Sequence, residues 1–208
     1  MKLHGYFRSS AAYRVRIALN LKGLAYEDVF HHLRHGEQRA PEYLRLNPQG
    51  LVPALDDEGA ILTQSLAICE YLNEIVPEPP LLPPSPLERA RVRAFAQAIA
   101  CDIHPIQNLK VLNRLKTEGL DEERVKAWGA WIIADGLAAC EASIAQERGP
   151  FCFGESPSLA DIVLVPQLGN ARRFGVTLDF PRLIEAEAAC LALAAFQKAA
   201  PENQPDSE

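Results

Sequence analysis

The chain has 208 residues, long enough for one large domain or two small ones, and for a sizeable core without disulfides or a structural metal. Apolar residues make up 48% and charged residues 23%, which excludes a disordered chain. A net charge of -6 argues against nucleic acid as a partner. No apolar run reaches bilayer-spanning length, which argues against a membrane. The opening Met1-Lys2-Leu3-His4 lacks a leader pattern, so a cytoplasmic location is expected.

The first strand is expected at Leu3 to Phe7, followed by a polar break at Arg8-Ser9-Ser10. Ala11, Val15, Ala18 and Leu19 recur at helical spacing, and Gly23 stops that helix. Tyr26 to His31 reads as a second strand, and Glu42 to Leu46 as a short helix ended by Asn47-Pro48. Leu51 to Leu55 and Ala60 to Thr63 form two strands joined across Asp56-Asp57-Glu58-Gly59. An apolar helix from Leu66 to Val76 follows, with Ser65 as its expected N-cap.

Pro77 to Pro86 holds six prolines in ten residues. Such a segment continues neither helix nor central strand, and it marks a domain boundary. Beyond it, helical patterns dominate. A long helix from Leu87 to Lys116 contains Pro105, which predicts a kink near His104. A second runs from Asp121 to about Gln146. Ser158-Leu159-Ala160-Asp161 reads as a capping box opening a third helix, which carries Pro166 and ends near Phe174-Gly175. A last helical region leads into the polar tail Pro201 to Glu208, expected to fray. The two domains are therefore an α/β unit over residues 1–80 and an all-α unit over residues 81–208.

Several short patterns carry chemistry. Ser9-Ser10 stands where a strand meets a helix, and unpaired N–H groups there favour an anion, although capping alone accounts for serine equally well. Val52-Pro53 puts a proline at a strand start, tolerated only at an edge, a first position or a bulge. Sequence leaves the isomer of that bond open. Gln64-Ser65 offers donors at a helix start. His104 and Asn108 are four apart and would share one helical face. Arg172-Arg173 closes a helix, where cations complement the dipole.

The cysteines Cys69, Cys101, Cys140, Cys152 and Cys190 are odd in number, widely spaced and without a Cys-x-x-Cys pair. Reduced, inert thiols are expected. His31-His32-x-x-His35 lacks a matching ligand pair elsewhere, so a polar strand end and loop is expected there and no metal.

The run Ser9-Ser10-Ala11-Ala12-Tyr13-Arg14-Val15-Arg16-Ile17-Ala18-Leu19 resembles the signature of the zeta-class glutathione transferases, Ser-Ser-Cys-x-Trp-Arg-Val-Arg-Ile-Ala-Leu. Asn47-Pro48-x-Gly50-x-Val52-Pro53, Gln64-Ser65-x-Ala67-Ile68-x-Glu70-Tyr71-Leu72 and Ser158-Leu159-Ala160-Asp161 match further blocks in order. Asp102-Ile103-His104-Pro105 and Ala171-Arg172-Arg173-Phe174 extend the likeness over nearly the whole chain. The resemblance implies a thioredoxin-like glutathione-binding domain, an all-helical substrate-binding domain and a homodimer.

It also implies an activity: glutathione-dependent cis–trans isomerisation of a maleyl keto acid by thiolate addition, bond rotation and elimination. Ala11 and Tyr13 replace the signature cysteine and tryptophan, which resembles the bacterial maleylpyruvate enzymes and favours that substrate over maleylacetoacetate. By the same resemblance Ser9 or Ser10, with Arg8, serves catalysis. Gln38, Val52, Pro53, Gln64 and Ser65 contact glutathione. Arg8 and Arg173 hold the substrate's carboxylates, and His104 and Asn108 contact glutathione or substrate. A general conjugating transferase and a noncatalytic binding module are the competing readings. The first would consume glutathione, and the second would tolerate loss of Ser9.

Overall fold

A computed structural model describes residues 1–208. In chain order its first elements are β1 (Lys2–Gly5), α1 (Ser10–Leu21), β2 (Glu27–Phe30), α2 (Pro41–Leu46), β3 (Ala54–Asp57), β4 (Ala60–Thr63) and α3 (Ser65–Ile75). Then come α4 (Pro86–Gln97), α5 (Leu109–Thr117), α6 (Glu122–Ile144), α7 (Leu159–Phe174), α8 (Pro181–Leu191) and α9 (Ala194–Ala199). Two compact units result: Met1–Leu81 with Leu191–Glu208, and Leu82–Cys190. The break after Leu81 falls inside the proline-rich segment. Residues 191–208 group with the α/β unit, whereas the sequence pattern placed them with the helices.

The sheet of the first unit has the order β2-β1-β3-β4. β1 pairs parallel with β2, and β1–β3 and β3–β4 are antiparallel. The β3–β4 hairpin needs only a two-residue turn because Glu58 and Gly59 both take positive φ (52° and 92°), the combination that matches strand twist. Leu3 and Leu55 from the sheet, Val15 and Leu19 from α1, and Ile68 and Leu72 from α3 are buried. Each such burial is worth about 1.5–3 kcal/mol. Gly5 lets α1 close on β1, since a Cβ there would lie 3.3 Å from Ala12 Cβ. The Val52–Pro53 and Glu78–Pro79 peptides are cis.

In the helical unit α7 is the central element, buried along nearly its whole length from Leu159 to Ala171, the polar Asp161, Gln167 and Asn170 included. It runs unbroken past Pro166. The expected capping box is formed. Asp161 Oδ2 accepts from the Ser158 N–H at 2.8 Å and the Ser158 hydroxyl at 2.9 Å, while Oδ1 accepts from the Cys152 N–H at 2.8 Å.

Three expectations fail. The helix drawn from Leu87 to Lys116 is two helices: α4 ends at Gln97, a π-helical turn spans Ala98–Ile103, and α5 starts at Leu109. Proline lacks the N–H and clashes with the preceding turn, and here it ends the helix rather than kinking it. Ser65 is not an N-cap but the first helical residue, with Gln64 in the cap position. The tail is not frayed. Gln204 is buried and its Nε2 donates to the Lys198 and Ala200 carbonyls at 2.9 and 2.8 Å.

Candidate functional site

Strand directions alone gather most of the candidates in the first unit. β1 and β4 each run antiparallel to β3, so the ends of β1 and β4 and the start of β3 share one edge of the sheet. β2, parallel to β1, ends there too. The four chain segments leaving or entering that edge carry Arg8-Ser9-Ser10, Gln38, Val52-Pro53 and Gln64-Ser65.

Tyr6 to Ser9 form a turn closed by the Ser9 N–H on the Tyr6 carbonyl at 3.0 Å. Arg8 is its third residue and Ser9 the N-cap of α1, with Ser9 Oγ accepting from the Ala12 N–H at 3.2 Å. A hydroxyl that accepts through its lone pair keeps its proton for donation. Ser9 is half-buried, whereas Ser10 is buried within the first helical turn. At β3 the Tyr43 hydroxyl (2.6 Å) and Asn47 Nδ2 (2.7 Å) both donate to the Leu51 carbonyl, which fixes the chain just before Val52. The ladder begins only at Ala54, so Val52 lies outside it.

Gln64 takes φ 70° and ψ 110°, a conformation that costs a non-glycine residue of order 1–3 kcal/mol and that clusters at ligand sites. Its Nε2 donates to Gln49 Oε1 at 3.0 Å. Ser65 Oγ accepts from Arg14 Nη1 at 3.2 Å, both residues being buried, which ties the start of α3 to α1. Gln38 Nε2 donates to the Leu33 carbonyl at 3.4 Å, and its Oε1 is buried with no partner in the protein. Its main chain approaches Gly50, where a Cβ would lie 3.1 Å from the Gln38 carbonyl oxygen.

The helical unit brings a second pair together, though not by the shared helical face that their spacing suggested. The His104 N–H bonds to the Ile99 carbonyl at 2.9 Å, five residues back, and Asn108 caps α5 by accepting from the Lys110 N–H at 3.1 Å. The turn between them still leaves Asn108 Nδ2 3.4 Å from His104 Nε2. Arg172 and Arg173 end α7. Arg172 is committed to Glu187 by two parallel hydrogen bonds.

Two glycines of α6, missed in the sequence, set the depth of this second group. A Cβ on Gly136 would stand 2.3 Å from Ile103 Cγ1, and one on Gly129 2.2 Å from Phe174 Cε1. Ile103 and Phe174 are the chain neighbours of His104 and Arg173. Seven residues are nearly two full turns, so both contacts fall on one face of α6, about 10 Å apart along its axis. A helical glycine seven residues from another was the available signal.

Four cysteines are buried and Cys101 is exposed, all of them free. Burial pushes the Cys69 and Cys140 thiols up to about 12, so they stay protonated. His31 to His35 form the strand end and loop that was expected, with His32 capping a 3-10 turn (Leu33–His35). No group of three or more His, Cys, Asp or Glu side chains is arranged to hold a metal ion, and no helix is long and apolar enough to cross a membrane. Tyr13, at the signature tryptophan position, is buried and belongs to the core of the first unit.

Comparison with known proteins supplies the family context. Residues 1–74 match the family model "Glutathione S-transferase, N-terminal domain", and residues 122–189 match "Glutathione S-transferase, C-terminal domain". The chain is 52% identical to maleylacetoacetate isomerase of Pseudomonas aeruginosa, over 100% of this chain and 99% of that one. A holo structure of maleylpyruvate isomerase, described as a bacterial zeta-class glutathione transferase, superposes with a TM-score of 0.98 at 48% identity, covering 100% of both chains. Maleylacetoacetate isomerase of Methylobacterium extorquens, solved with malonate and glutathione bound, gives 0.96 at 42% identity, again over 100% of both.

Proposed function

The chain belongs to the zeta-class glutathione transferase family, and from that premise we propose that it is a glutathione-dependent cis–trans isomerase that converts maleylpyruvate to fumarylpyruvate. The observation that carries this reading is the convergence of Ser9, Val52 and Gln64-Ser65 on one sheet edge, at the N-termini of α1 and α3. Glutathione fits that edge. The buried, partnerless Oε1 of Gln38 is an acceptor for one of its N–H groups, and the two helix starts suit its carboxylates. When bound, glutathione supplies a thiolate that adds to the double bond of the substrate and is expelled after the bond has turned.

The chain's own residues make that chemistry accessible. A free thiol has a pKa near 8.5, and lowering it by about two units requires about 2.7 kcal/mol. A hydroxyl donating to a thiolate contributes about 1.5–3 kcal/mol, and a helix N-terminus about 0.3–1 kcal/mol. Ser9, half-buried at the start of α1 with its proton available, meets that requirement, and Arg8 beside it adds positive charge. Ser10 contributes as part of the same helix start. Val52 offers backbone pairing to the peptide of glutathione, Pro53 shapes that strand start, and Gln64 and Ser65 hold a terminal carboxylate.

In the helical unit Arg173 provides a guanidinium fork for a carboxylate of the dianionic substrate. Asn108 Nδ2 donates to His104 Nε2 at 3.4 Å, which leaves the second N–H of the Asn108 amide for a carboxylate or for the oxygen on which charge develops. The functional domains of this reading are residues 1–80 for glutathione and 81–208 for substrate. A homodimer follows from the family resemblance, and a cytoplasmic location from the need for reduced glutathione.

Maleylacetoacetate is the second reading, favoured by the 52% identity to the Pseudomonas enzyme. The test uses purified protein with freshly generated maleylpyruvate and, separately, maleylacetoacetate, and follows the fumaryl product with catalytic glutathione. Many turnovers without loss of glutathione are expected, and the kcat/KM ratio selects the substrate. Stoichiometric consumption of glutathione would make the protein a conjugating transferase. Binding without turnover would make it a binding module.

A further inference from the structure

The turn that presents Arg8 and Ser9 is held from behind by the end of the chain. The Phe7 N–H donates to Asp206 Oδ2 at 2.9 Å, and the Phe7 carbonyl accepts from Arg16 Nη2 at 3.0 Å. The same guanidinium donates through Nε to the Ala199 carbonyl at 2.9 Å, and Arg16 is buried. Both polar groups of one turn residue are therefore held by the tail, one directly and one through a side chain that also grips the tail. Either side of Asp206 the tail is secured again, by the Gln204 amide on the Ala200 carbonyl and by Glu208 on His32 Nε2 at 2.5 Å.

We propose that Asp206 is a positioning residue for the thiolate site, fixing through the Phe7 N–H the turn from Tyr6 to Ser9. The proposal rests on the reading of Ser9 as thiolate donor. The turn itself is closed by a single hydrogen bond, the Ser9 N–H on the Tyr6 carbonyl at 3.0 Å. Phe7 is buried, so without Asp206 its N–H loses its partner away from water and the turn must move to recover one. Ser9 is the next residue but one, and small displacements of a group that must meet a reacting atom have large kinetic effects. Asp206 Oδ1 is itself buried without a partner. A carboxylate half-satisfied in this way is a poor choice for stability alone, and its placement is explained by the bond its other oxygen makes.

The test compares D206A and D206N in the full chain. Asn keeps an oxygen acceptor for Phe7, and Ala removes it. Three quantities are read: amide exchange at Phe7, the pKa of the bound glutathione thiol from thiolate absorbance, and KM for glutathione. For D206A the expected results are faster Phe7 exchange, a raised thiol pKa and a KM raised about tenfold, the size of one lost hydrogen bond to a charged group. D206N stays within about twofold of the parent. A D206A variant with parental KM and thiol pKa, even with a lowered Tm, overturns the proposal, as does equal loss in both variants. Should D206A not fold, D206E keeps the charge but moves the carboxylate away from Phe7, with the same rise expected and an unchanged KM overturning the idea. An unchanged pKa of the bound glutathione thiol in Ser9→Ala would instead refute the reading of Ser9, a separate result.

Discussion

Arg172 and Glu187 form a two-pronged ion pair in which the carboxylate is buried and the guanidinium half-exposed. Glu187 is 4% exposed, so its charge depends on this partner and on little solvent. The pairing raises the Arg172 guanidinium further above its ordinary range, and it separates two adjacent arginines that are alike in sequence.

Arg172→Ala is therefore expected to lower stability by about 2–4 kcal/mol, because it strands a buried carboxylate. Its effect on KM should be small. Arg173→Ala should raise KM for the dicarboxylate while leaving glutathione binding nearly intact. Thermal unfolding together with steady-state kinetics on both variants distinguishes the roles. Equal loss of substrate and glutathione binding in Arg173→Ala would make that residue structural.

The division between these arginines was not legible in the sequence, because Glu187 lies 15 positions away on α8 and nothing local pairs it with one residue rather than its neighbour. The sheet edge was more accessible. The order of strands and helices and the helix start at Ser9 follow from local pattern, and strand direction then assembles them. The hairpin turn expected over Asp56 to Gly59 narrows to Glu58-Gly59 because β3 runs on to Asp57, and α3 starts one residue before the expected Leu66. Pro105 marks a disruption, but the helix stops there instead of kinking. A proline signals disruption, and whether a helix bends or ends depends on what caps the next turn, here Asn108. The tail composition of Pro, Gln, Asp and Ser reads as solvent-facing, yet Gln204 is buried and Asp206 holds Phe7, contacts nearly the whole chain apart.

Gly136→Ala tests whether α6 sets the depth of His104. At an ordinary helix interior this change is favourable by about 1 kcal/mol. Here the new Cβ would meet Ile103 Cγ1 at 2.3 Å and Cδ1 at 2.4 Å, while Ile103 Cβ is 3.6 Å away. Overpacking of this kind costs about 1–3 kcal/mol. Ile103→Ala removes both offending atoms, so the double variant should be more stable than the sum of the two single changes by at least about 1 kcal/mol. It should also recover part of the kcat/KM lost in Gly136→Ala. Additive losses in the double-mutant cycle would show that Ile103 yields without moving His104.

Gln64 offers a contrast between glycine and alanine. Both Gln64→Gly and Gln64→Ala delete the side chain, but only glycine relaxes a backbone held at φ 70°. Gly should be the more stable variant by about 1 kcal/mol, the opposite of the usual order. Both should raise KM for glutathione. Chemical denaturation of the pair reads the first effect, and an alanine variant equal to or more stable than glycine would mean that the backbone relaxes without cost.

His4 and His31 give the fold a defined response to acid. His4 Nδ1 lies 3.0 Å from His31 Nε2, and the rings stack. Burial lowers the pKa of both; for His31 the neighbouring His4 lowers it further, and for His4 Lys2 does so while Asp56 and Glu27 oppose. In the unfolded chain each titrates near 6.5. The unfolded state therefore takes up protons first, and stability rises with pH wherever it binds more of them. The contribution is complete above about pH 6.5 and is lost as pH falls below it toward the folded-state values. Tm should thus drop between about pH 7.5 and pH 5.5. His31→Gln, which keeps a polar partner for His4 but removes one titrating ring, should flatten that drop. A parallel profile in the variant would place the acid sensitivity elsewhere, because only a group whose pKa differs between folded and unfolded states gives Tm a slope in its own titration range.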